Sequence, residues 1–264
     1  MEINAYNPNI YDQLWNPQEY LREYYSHDFI PDDEEAFQQR LVAFLKCGGR
    51  TFARAIDVGC GPTVHLHTAL APYVGELHLA DYLSANLNEI QKWLRDEPEA
   101  HNWDINIKHV LELETLSQAT PADIEARKQL MRQKVTALKH CDLRRSDPLG
   151  KGAKYDLVLS AYCADAATQS KEEWRQMIGS LLSLCAEGGV AILLSACQSR
   201  QYQVADKSFP FASVDGADIA AALAAAGFDP LRTTLETVSI KTWAELAFDK
   251  IVIAIAAKHS SQAS

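Results

Sequence analysis

Residues 53–63 read Ala-Arg-Ala-Ile-Asp-Val-Gly-Cys-Gly-Pro-Thr. An apolar run that ends in Asp57 and opens at Gly59 and Gly61 is a strand followed by a tight turn. Two residues without side chains let backbone N–H groups approach a ligand closely, and the helix that follows adds its positive end. Such a turn suits a nucleotide-like cofactor. In the dinucleotide fingerprint Gly-x-Gly-x-x-Gly, the third glycine allows close packing of helix on strand. That place is Val64 here, and a branched side chain argues against NAD or FAD.

Working outward, the elements agree with a doubly wound fold. Asn16-Pro17-Gln18-Glu19 starts a helix, with Asn as the cap, Pro in the first turn and Glu reaching back. It carries Tyr20, Tyr24 and Tyr25. A second helix, from about Glu34, stops at Gly48-Gly49. After the glycine turn come helix 64–71, strand 76–80, Asp81, and a helix capped by Ser84 that runs to Glu97 before Pro98. Residues 95–134 are polar and helical, with a new start at Thr120-Pro121, and read as an insertion between strands. Strands 135–140 and 155–160 follow, then helix 170–185, closed by Glu187-Gly188-Gly189, and strand Val190 to Leu194. This alternation predicts a parallel sheet with helices on both faces. Beyond helix 216–226, a β-rich stretch 231–240 and a strand 250–257 are separated by only nine residues. A parallel crossover needs a dozen or more, so these two strands pair antiparallel.

The chain has 264 residues, of which 47% are hydrophobic. That is enough for one large domain, 1–264, with residues 1–50 as N-terminal lid helices. No apolar run approaches the roughly 18 residues that span a membrane. The first residues, Met-Glu-Ile-Asn-Ala-Tyr-Asn-Pro, lack the basic and apolar regions of a secretory signal, so the expected location is cytoplasmic. A net charge of −10 disfavours nucleic acid as a partner, and no membrane partner is expected. A monomer acting on a small molecule is expected. The basic stretch Arg127 to Lys139 reads as a solvated helix face. Six widely spaced cysteines without a C-x-x-C pair read as reduced thiols. His65-x-His67 has no cysteine partner at zinc spacing, so no metal is expected. Those histidines are placed facing solvent or at the cofactor mouth.

In an open α/β sheet the ligand lies outside the carboxyl ends of the strands. Asp81 follows the second strand, where a carboxylate can accept from both ribose hydroxyls, at roughly 1.5–3 kcal/mol for a charge-assisted bond. Asp142 follows the next and could accept from an adenine amino group, or simply turn the loop. Acid-x-Gly-x-Gly at Asp57, Gly59 and Gly61 resembles the first motif of class I S-adenosylmethionine methyltransferases, whose cofactor carries no phosphate. The parallel sheet with an antiparallel end resembles the same fold class: Rossmann-like, seven-stranded, mostly parallel, with a C-terminal antiparallel hairpin.

Longer strings sharpen the resemblance. They are Asn16-Pro17-x-x-Tyr20-Leu21-x-x-Tyr24-Tyr25, Asp57-Val58-Gly59-Cys60-Gly61-Pro62-Thr63, Asp81-Tyr82-x-x-x-Asn86-Leu87, Lys92-Trp93-Leu94, Glu97-Pro98-Glu99-Ala100-x-x-Trp103, Cys141-Asp142-Leu143 with Pro148-Leu149-Gly150, and Cys163-x-Asp165-Ala166-Ala167. Over nearly its whole length the chain resembles the small-molecule methyltransferase family of nicotinamide, phenylethanolamine and indolethylamine N-methyltransferases and thioether S-methyltransferase. The resemblance implies S-adenosylmethionine as cofactor and S-adenosylhomocysteine as product. It implies that Tyr11, Tyr20 and Tyr25 fold over the ligands, with Tyr25 at the methionine carboxylate. Read without it, three tyrosines near one short helix are a packing face. It places Gly59, Cys60, Gly61 and Thr63 along the methionine side, and Asp81, Tyr82 and Asn86 at ribose and adenine. Asp142, Leu143, Ser160 and Ala167 complete the adenosine wall. His65 stands where the nicotinamide enzyme has a tyrosine.

At the acceptor the chain departs from that pattern. The nicotinamide enzyme and its amine-methylating relatives place an acid after the Val190 to Leu194 strand, where this chain has Ser195. A serine that bonds the nicotinamide amide aligns with Phe211, whereas Ser199 and Tyr202 match. Each unmade bond in a buried site costs roughly 1–3 kcal/mol, so nicotinamide is not the expected substrate. Tyr20, Tyr162, Ser195, Tyr202 and Phe211 would suit a flat, neutral aromatic ring. The expected reaction is in-line methyl transfer to a heteroaromatic or amine nitrogen without a general base; Asp165, the nearest candidate, reads as loop support. Methylation of a thioether or another soft nucleophile is the alternative within the class, and an S-adenosylmethionine-binding protein without turnover is the alternative outside it.

Overall fold

The computed structural model describes residues 10–115, 117–244 and 248–260. The glycine-turn strand is β1 (Phe52–Val58), and β2 (Val74–Asp81) and β4 (Tyr155–Ala161) pair with it in parallel, one on each side. Outside them lie β3 (Val135–His140), parallel to β2, and β5 (Cys185–Ala196), parallel to β4. The last two strands, β8 (Phe228–Ser239) and β9 (Lys250–Lys258), are antiparallel to each other, and β9 is antiparallel to β5. The resulting order is β3-β2-β1-β4-β5-β9-β8. β9, rather than β8, docks on β5. The expected antiparallel end of a parallel sheet is present.

Helices cover both faces. One face packs α3 (Asp32–Gly48), α5 (Ser84–Leu94), α6 (Asp104–Thr115) and α7 (Pro121–Lys134) in an apolar cluster with Phe37, Leu41, Leu77, Ile90, Trp103 and Met131. The other packs α8 (Lys171–Ser183) and α9 (Gly216–Ala225) around Trp174, Leu181, Val158, Leu193 and Leu223. Ahead of α3 run two short helices, α1 (Ile10–Leu14) and α2 (Pro17–Tyr25). Asn16 caps α2 by accepting from the Gln18 and Glu19 N–H groups, and Thr120 opens α7 with a reciprocal capping box through Asp123.

Four expectations need correction. Helix 64–71 contracts to α4 (His67–Leu70) and a 3₁₀ turn Ala71–Tyr73, because Pro72 has no N–H to continue an α-helix. Ser84 does not cap α5. Asp81 turns the chain there instead, its Oδ1 accepting from Leu83 N at 2.8 Å and Asn86 Nδ2 at 3.0 Å. The stretch Arg127 to Lys139 is not simply solvated: Arg127 forks onto Glu114 (2.6 and 3.0 Å) and donates to Thr68 O, while Arg132 lies 4.8 Å over the Trp93 ring. His67 is buried against Asp57 rather than facing solvent, while His65, also buried, lines the cavity at the strand ends, one of the two places expected for it. One element was not anticipated, the hairpin β6 (Gln201–Val204) and β7 (Lys207–Pro210), whose strands are too short to show an alternation.

Among the described residues, no helix is long and apolar enough to cross a membrane, and no group of three or more His, Cys, Asp or Glu side chains could hold a metal ion. All six cysteines are free thiols.

Candidate functional site

A cavity of about 380 Å³ opens at the carboxyl ends of β1, β2 and β4. Its floor is the glycine turn. Gly59 N and Cys60 N both donate to Ala80 O, at 2.8 and 3.1 Å, which ties the turn to the end of β2. Gly59 and Gly61 have φ of 71° and 59°, a conformation that favours glycine. At Gly59 a side chain is also sterically barred, since a Cβ there would lie 2.1 Å from Cys163 Sγ. A Cβ on Gly61 would meet nothing within 4 Å, so the turn presents open space at that point. Thr63 Oγ1 closes the turn by donating to Cys60 O at 2.9 Å.

Asp81 gathers the polar end. Besides Leu83 N and Asn86 Nδ2, its Oδ2 accepts from Gly61 N at 2.9 Å, which binds the acid of β2 to the turn of β1. Burial raises its pKa and the three hydrogen bonds offset this only in part. Tyr82, Asn86, Asp142 and Leu143 line the same end. At Asp142 burial is outweighed by Arg144, whose Nε donates at 2.8 Å and whose backbone N–H donates at 3.1 Å, so the carboxyl is held below its usual value. The Arg144 guanidinium lies 4.6 Å over the Tyr82 ring, and Tyr82 donates to Asp12 of α1.

The other end and the roof are aromatic. Tyr11, Trp15, Tyr20, Tyr25, Tyr162 and Tyr202 all line the cavity. Trp15 lies 5.0 Å from Tyr20, Tyr20 lies 5.6 Å from Tyr25, and Trp15 Nε1 donates to Asn86 Oδ1 at 2.7 Å. Tyr11 donates to Ala166 O and pairs with the Tyr202 hydroxyl at 3.0 Å, so α1 meets β6 over the cavity. Tyr24 donates to Gln203 O at 2.7 Å and Lys207 pairs with Glu19 at 3.1 Å, clamping α2 to the hairpin. Burial pushes the Tyr20 pKa up to about 12, so this hydroxyl keeps its proton at neutral pH.

Beneath the aromatic end lies a buried acidic step that the sequence did not reveal. Glu34 lines the cavity, accepts from Asn106 Nδ2 at 3.2 Å and lies 3.2 Å from His65 Nε2. Asp33 accepts from the Tyr162 hydroxyl at 2.8 Å and Trp243 Nε1 at 2.9 Å. Burial, followed by the Glu34 charge, pushes the Asp33 carboxyl up to about 6. Four acids in a row, Asp32 to Glu35, read as ordinary helix-start charges. Nothing in that run distinguishes the two that turn inward.

Of the residues singled out from the sequence, Tyr11, Tyr20, Tyr25, Gly59, Cys60, Gly61, Thr63, Asp81, Tyr82, Asn86, Asp142, Leu143, Tyr162, Ala167 and Tyr202 meet around this one cavity. Four stand behind it. Ser160 donates to Val58 O at 2.7 Å and bolts β4 to β1. Ser195 is buried in β5 opposite Val252, and Ser199 is buried just beyond that strand. Phe211 packs on Ala166, Ala196 and the Tyr202 ring, 5.1 Å away, so it backs the lining residues Ala166 and Tyr202 without itself lining the cavity. Asp165 is also buried outside the lining. Its Oδ2 accepts from Ala196 N at 2.8 Å, the loop support expected of it.

The chain is similar to known methyltransferases in sequence and in fold. Human nicotinamide N-methyltransferase is 29% identical over 234 residues, covering 86% of this chain and 87% of its own. Mouse indolethylamine N-methyltransferase is 28% identical over 235 residues (87% and 88%). Pig phenylethanolamine N-methyltransferase is 25% identical over 241 residues (87% and 84%). Among solved structures, magnesium protoporphyrin IX methyltransferase from Synechocystis, with bound S-adenosylmethionine, matches with a TM-score of 0.56 at 18% identity, covering 97% of this chain and 100% of that one. The N-methyltransferase NodS from Bradyrhizobium japonicum, with S-adenosylhomocysteine, gives 0.53 at 13% identity (92% and 99%). At such identities these two structures establish the fold alone. The family model for the NNMT/PNMT/TEMT family matches residues 4–259, and the chain therefore belongs to that family of S-adenosylmethionine-dependent methyltransferases.

Proposed function

We propose that this protein methylates a nitrogen of a small planar aromatic or amine acceptor. One observation carries the reading: a single cavity joins a polar end, built by Asp81, Gly61 and Asp142, to an end walled by Tyr20, Tyr25, Tyr162 and Tyr202. The polar end fits an adenosine, with Asp81 for the ribose hydroxyls and Asp142 and Leu143 for the base. The open space at Gly61 and the small residues of the turn leave room for a thioether chain. When bound, the cofactor's sulfonium supplies an electrophilic methyl group.

The chain's own part is positioning. The lone pair of a neutral nitrogen attacks without prior loss of a proton, so the tyrosine walls need only align it and exclude water, an effect worth up to roughly 7–11 kcal/mol. Tyrosine faces also favour positive charge at about 0.5–2 kcal/mol. No general base is assigned, since Asp165 stands outside the lining. Nicotinamide itself is disfavoured: the family's acid is Ser195 here, and its amide-bonding serine is Phe211, packed behind Tyr202. A cytoplasmic monomer acting on a free small molecule is the matching form of the protein.

The test is S-adenosylhomocysteine release with a panel of pyridines, quinolines, indoles, phenazines, arylalkylamines and thioethers, with the methylated atom assigned by NMR. Turnover on a nitrogen is the expected result. Methylation at sulfur alone would overturn the choice of atom, and binding of the cofactor without turnover on any acceptor would overturn the enzymatic reading.

A further inference from the structure

Methyl transfer to a nitrogen that bears hydrogen leaves one proton without a destination. Such a nitrogen becomes an acidic cation as it takes the methyl group, and a neutral product forms only if a group beside it accepts that proton. Four tyrosines wall the acceptor end, and their hydroxyls are bonded differently. Tyr20 pairs with Tyr25. Tyr11 donates to the Ala166 carbonyl at 2.6 Å, so Tyr202 is the donor in its 3.0 Å bond to Tyr11, and that chain stops at an amide, which is too weak a base to keep a proton. Tyr162 donates to Asp33 Oδ2 at 2.8 Å, and its chain stops at a carboxylate.

Tyr162 is also fixed where it stands. Its φ of 50° is a left-handed conformation that a bulky side chain adopts only against strain. Its N–H is held on Leu194 O at 2.8 Å, and its ring meets Phe248 edge-on at 5.7 Å. Asp33 is oriented in turn by Trp243 Nε1, which donates to Oδ1 at 2.9 Å. With its proton directed to Asp33, the Tyr162 oxygen can only accept from a ligand, which selects a ligand that brings a donor. We propose that Tyr162 and Asp33 form a proton relay for an arylamine acceptor, whose reacting nitrogen bears hydrogen. The nitrogen lone pair forms the N–C bond while the C–S electron pair leaves with sulfur as a neutral thioether. The N–H proton passes to Tyr162 Oη as the Tyr162 proton passes to Asp33 Oδ2. The cofactor's positive charge and the Asp33 negative charge are cancelled together, and Asp33 later returns its proton to solvent. An alkylammonium is too weak an acid for this transfer, whereas an arylammonium is not. Burial, followed by the Glu34 charge, pushes Asp33 up to about 6, which makes it a stronger base than an ordinary carboxylate and leaves it ionised at neutral pH. The other titratable groups around the pair are Tyr20, Tyr24 and Tyr25 of α2 and Asp165 beyond β4. Burial raises all of these tyrosines and Tyr162 itself, so they hold their protons at rest.

This inference rests on the nitrogen-methylation reading, and its test separates the two. Arylamines are added to the acceptor panel, and kcat/KM is compared with that for pyridines, quinolines, phenazines and arylalkylamines. Arylamines should exceed the others by about tenfold or more. With the best arylamine, which is itself protonated only at lower pH, kcat should fall below about pH 6 as Asp33 takes up a proton. Tyr162→Phe and Asp33→Asn should each lower kcat by about a hundredfold at pH 8. Both should bind S-adenosylhomocysteine within about twofold of the wild type by calorimetry, which shows that they are folded, and Asp33→Asn should lose the acid limb near pH 6. If Asp33→Asn does not fold, Tyr162→Phe, which keeps the ring, decides. Nitrogen methylation without preference for arylamines, a Tyr162→Phe kcat within about threefold of the wild type, or an acid limb unchanged in Asp33→Asn overturns the relay while leaving the function proposed above. No turnover on any nitrogen acceptor overturns that function and the relay with it.

Discussion

Gly59 and Asp165 show how single residues set the limits of the site. A methyl group at Gly59 would meet Cys163 Sγ at 2.1 Å and Cβ at 2.4 Å while also sitting at a φ of 71°. Gly59→Ala should therefore cost about 3 kcal/mol or more, the sum of overpacking and left-handed strain, and abolish S-adenosylhomocysteine binding. Adding Cys163→Gly removes both clashing atoms and should recover the steric share, read as a rise in Tm over the single variant. An unchanged Tm would show that the contact is not what bars a side chain there. Asp165 carries a different cost. Burial pushes its carboxyl from 3.8 to about 7, so the native state holds a proton that the unfolded chain has released. Stability from this group is thus greatest in acid and falls as pH rises from about 4 through 7, by at most roughly 4 kcal/mol. Asp165→Asn, neutral at every pH, should match the wild type near pH 4 and exceed its Tm above pH 7. Parallel Tm curves for the two proteins between pH 4 and 8 would refute this. At the polar end, Asp81→Ala should weaken S-adenosylhomocysteine at least tenfold by calorimetry, since one carboxylate serves both the turn and the expected ribose contact.

Among the elements, the β6–β7 hairpin is the least legible and the most specific to the roof. Its turn uses Ala205 at a φ of 54°, where Asn or Gly is usual, so the commonest hairpin signal is missing. Its strands are only four residues long. Ala205→Gly should relieve that backbone at about 0.5–1 kcal/mol and raise Tm by roughly 1–4 °C. A fall in Tm instead would mean that the Ala205 N–H bond to Glu23 depends on the alanine backbone being held. Tyr202 links the hairpin to α1 and covers Phe211, so Tyr202→Ala should reduce acceptor kcat/KM far more than S-adenosylhomocysteine affinity. Equal losses in both would make the hairpin a support of the whole cavity rather than of its acceptor end. The N-terminal α2 start, by contrast, was plain in Asn16-Pro17, because a cap acts on its own next turn and needs no distant partner.

The whole molecule divides in the same way between local and distant causes. The strand and turn at Asp57 to Gly61, the acid at the end of β2 and the antiparallel end of the sheet were legible, since each follows from neighbouring residues or from a short connection. Glu34 and Asp33 were not, because their burial depends on His65, Asn106 and Trp243, which arrive from three other parts of the chain. Ser195 and Phe211, read from the sequence as acceptor residues, stand behind the cavity wall, a matter of which way a strand end faces. The position of β9 has a consequence in time rather than in space. It lies inside the sheet, between β5 and β8, so β5 remains an open edge until residue 258 has been made, about 60 residues after β5 ends. At about 5–20 residues per second a ribosome leaves that apolar edge unpaired for roughly 3–12 seconds, long enough to recruit a wrong neighbour. A chain stopped at Asp249 should accordingly be recovered as aggregate rather than as a trimmed enzyme, and slower growth at low temperature with added chaperone should raise the yield of the full-length protein.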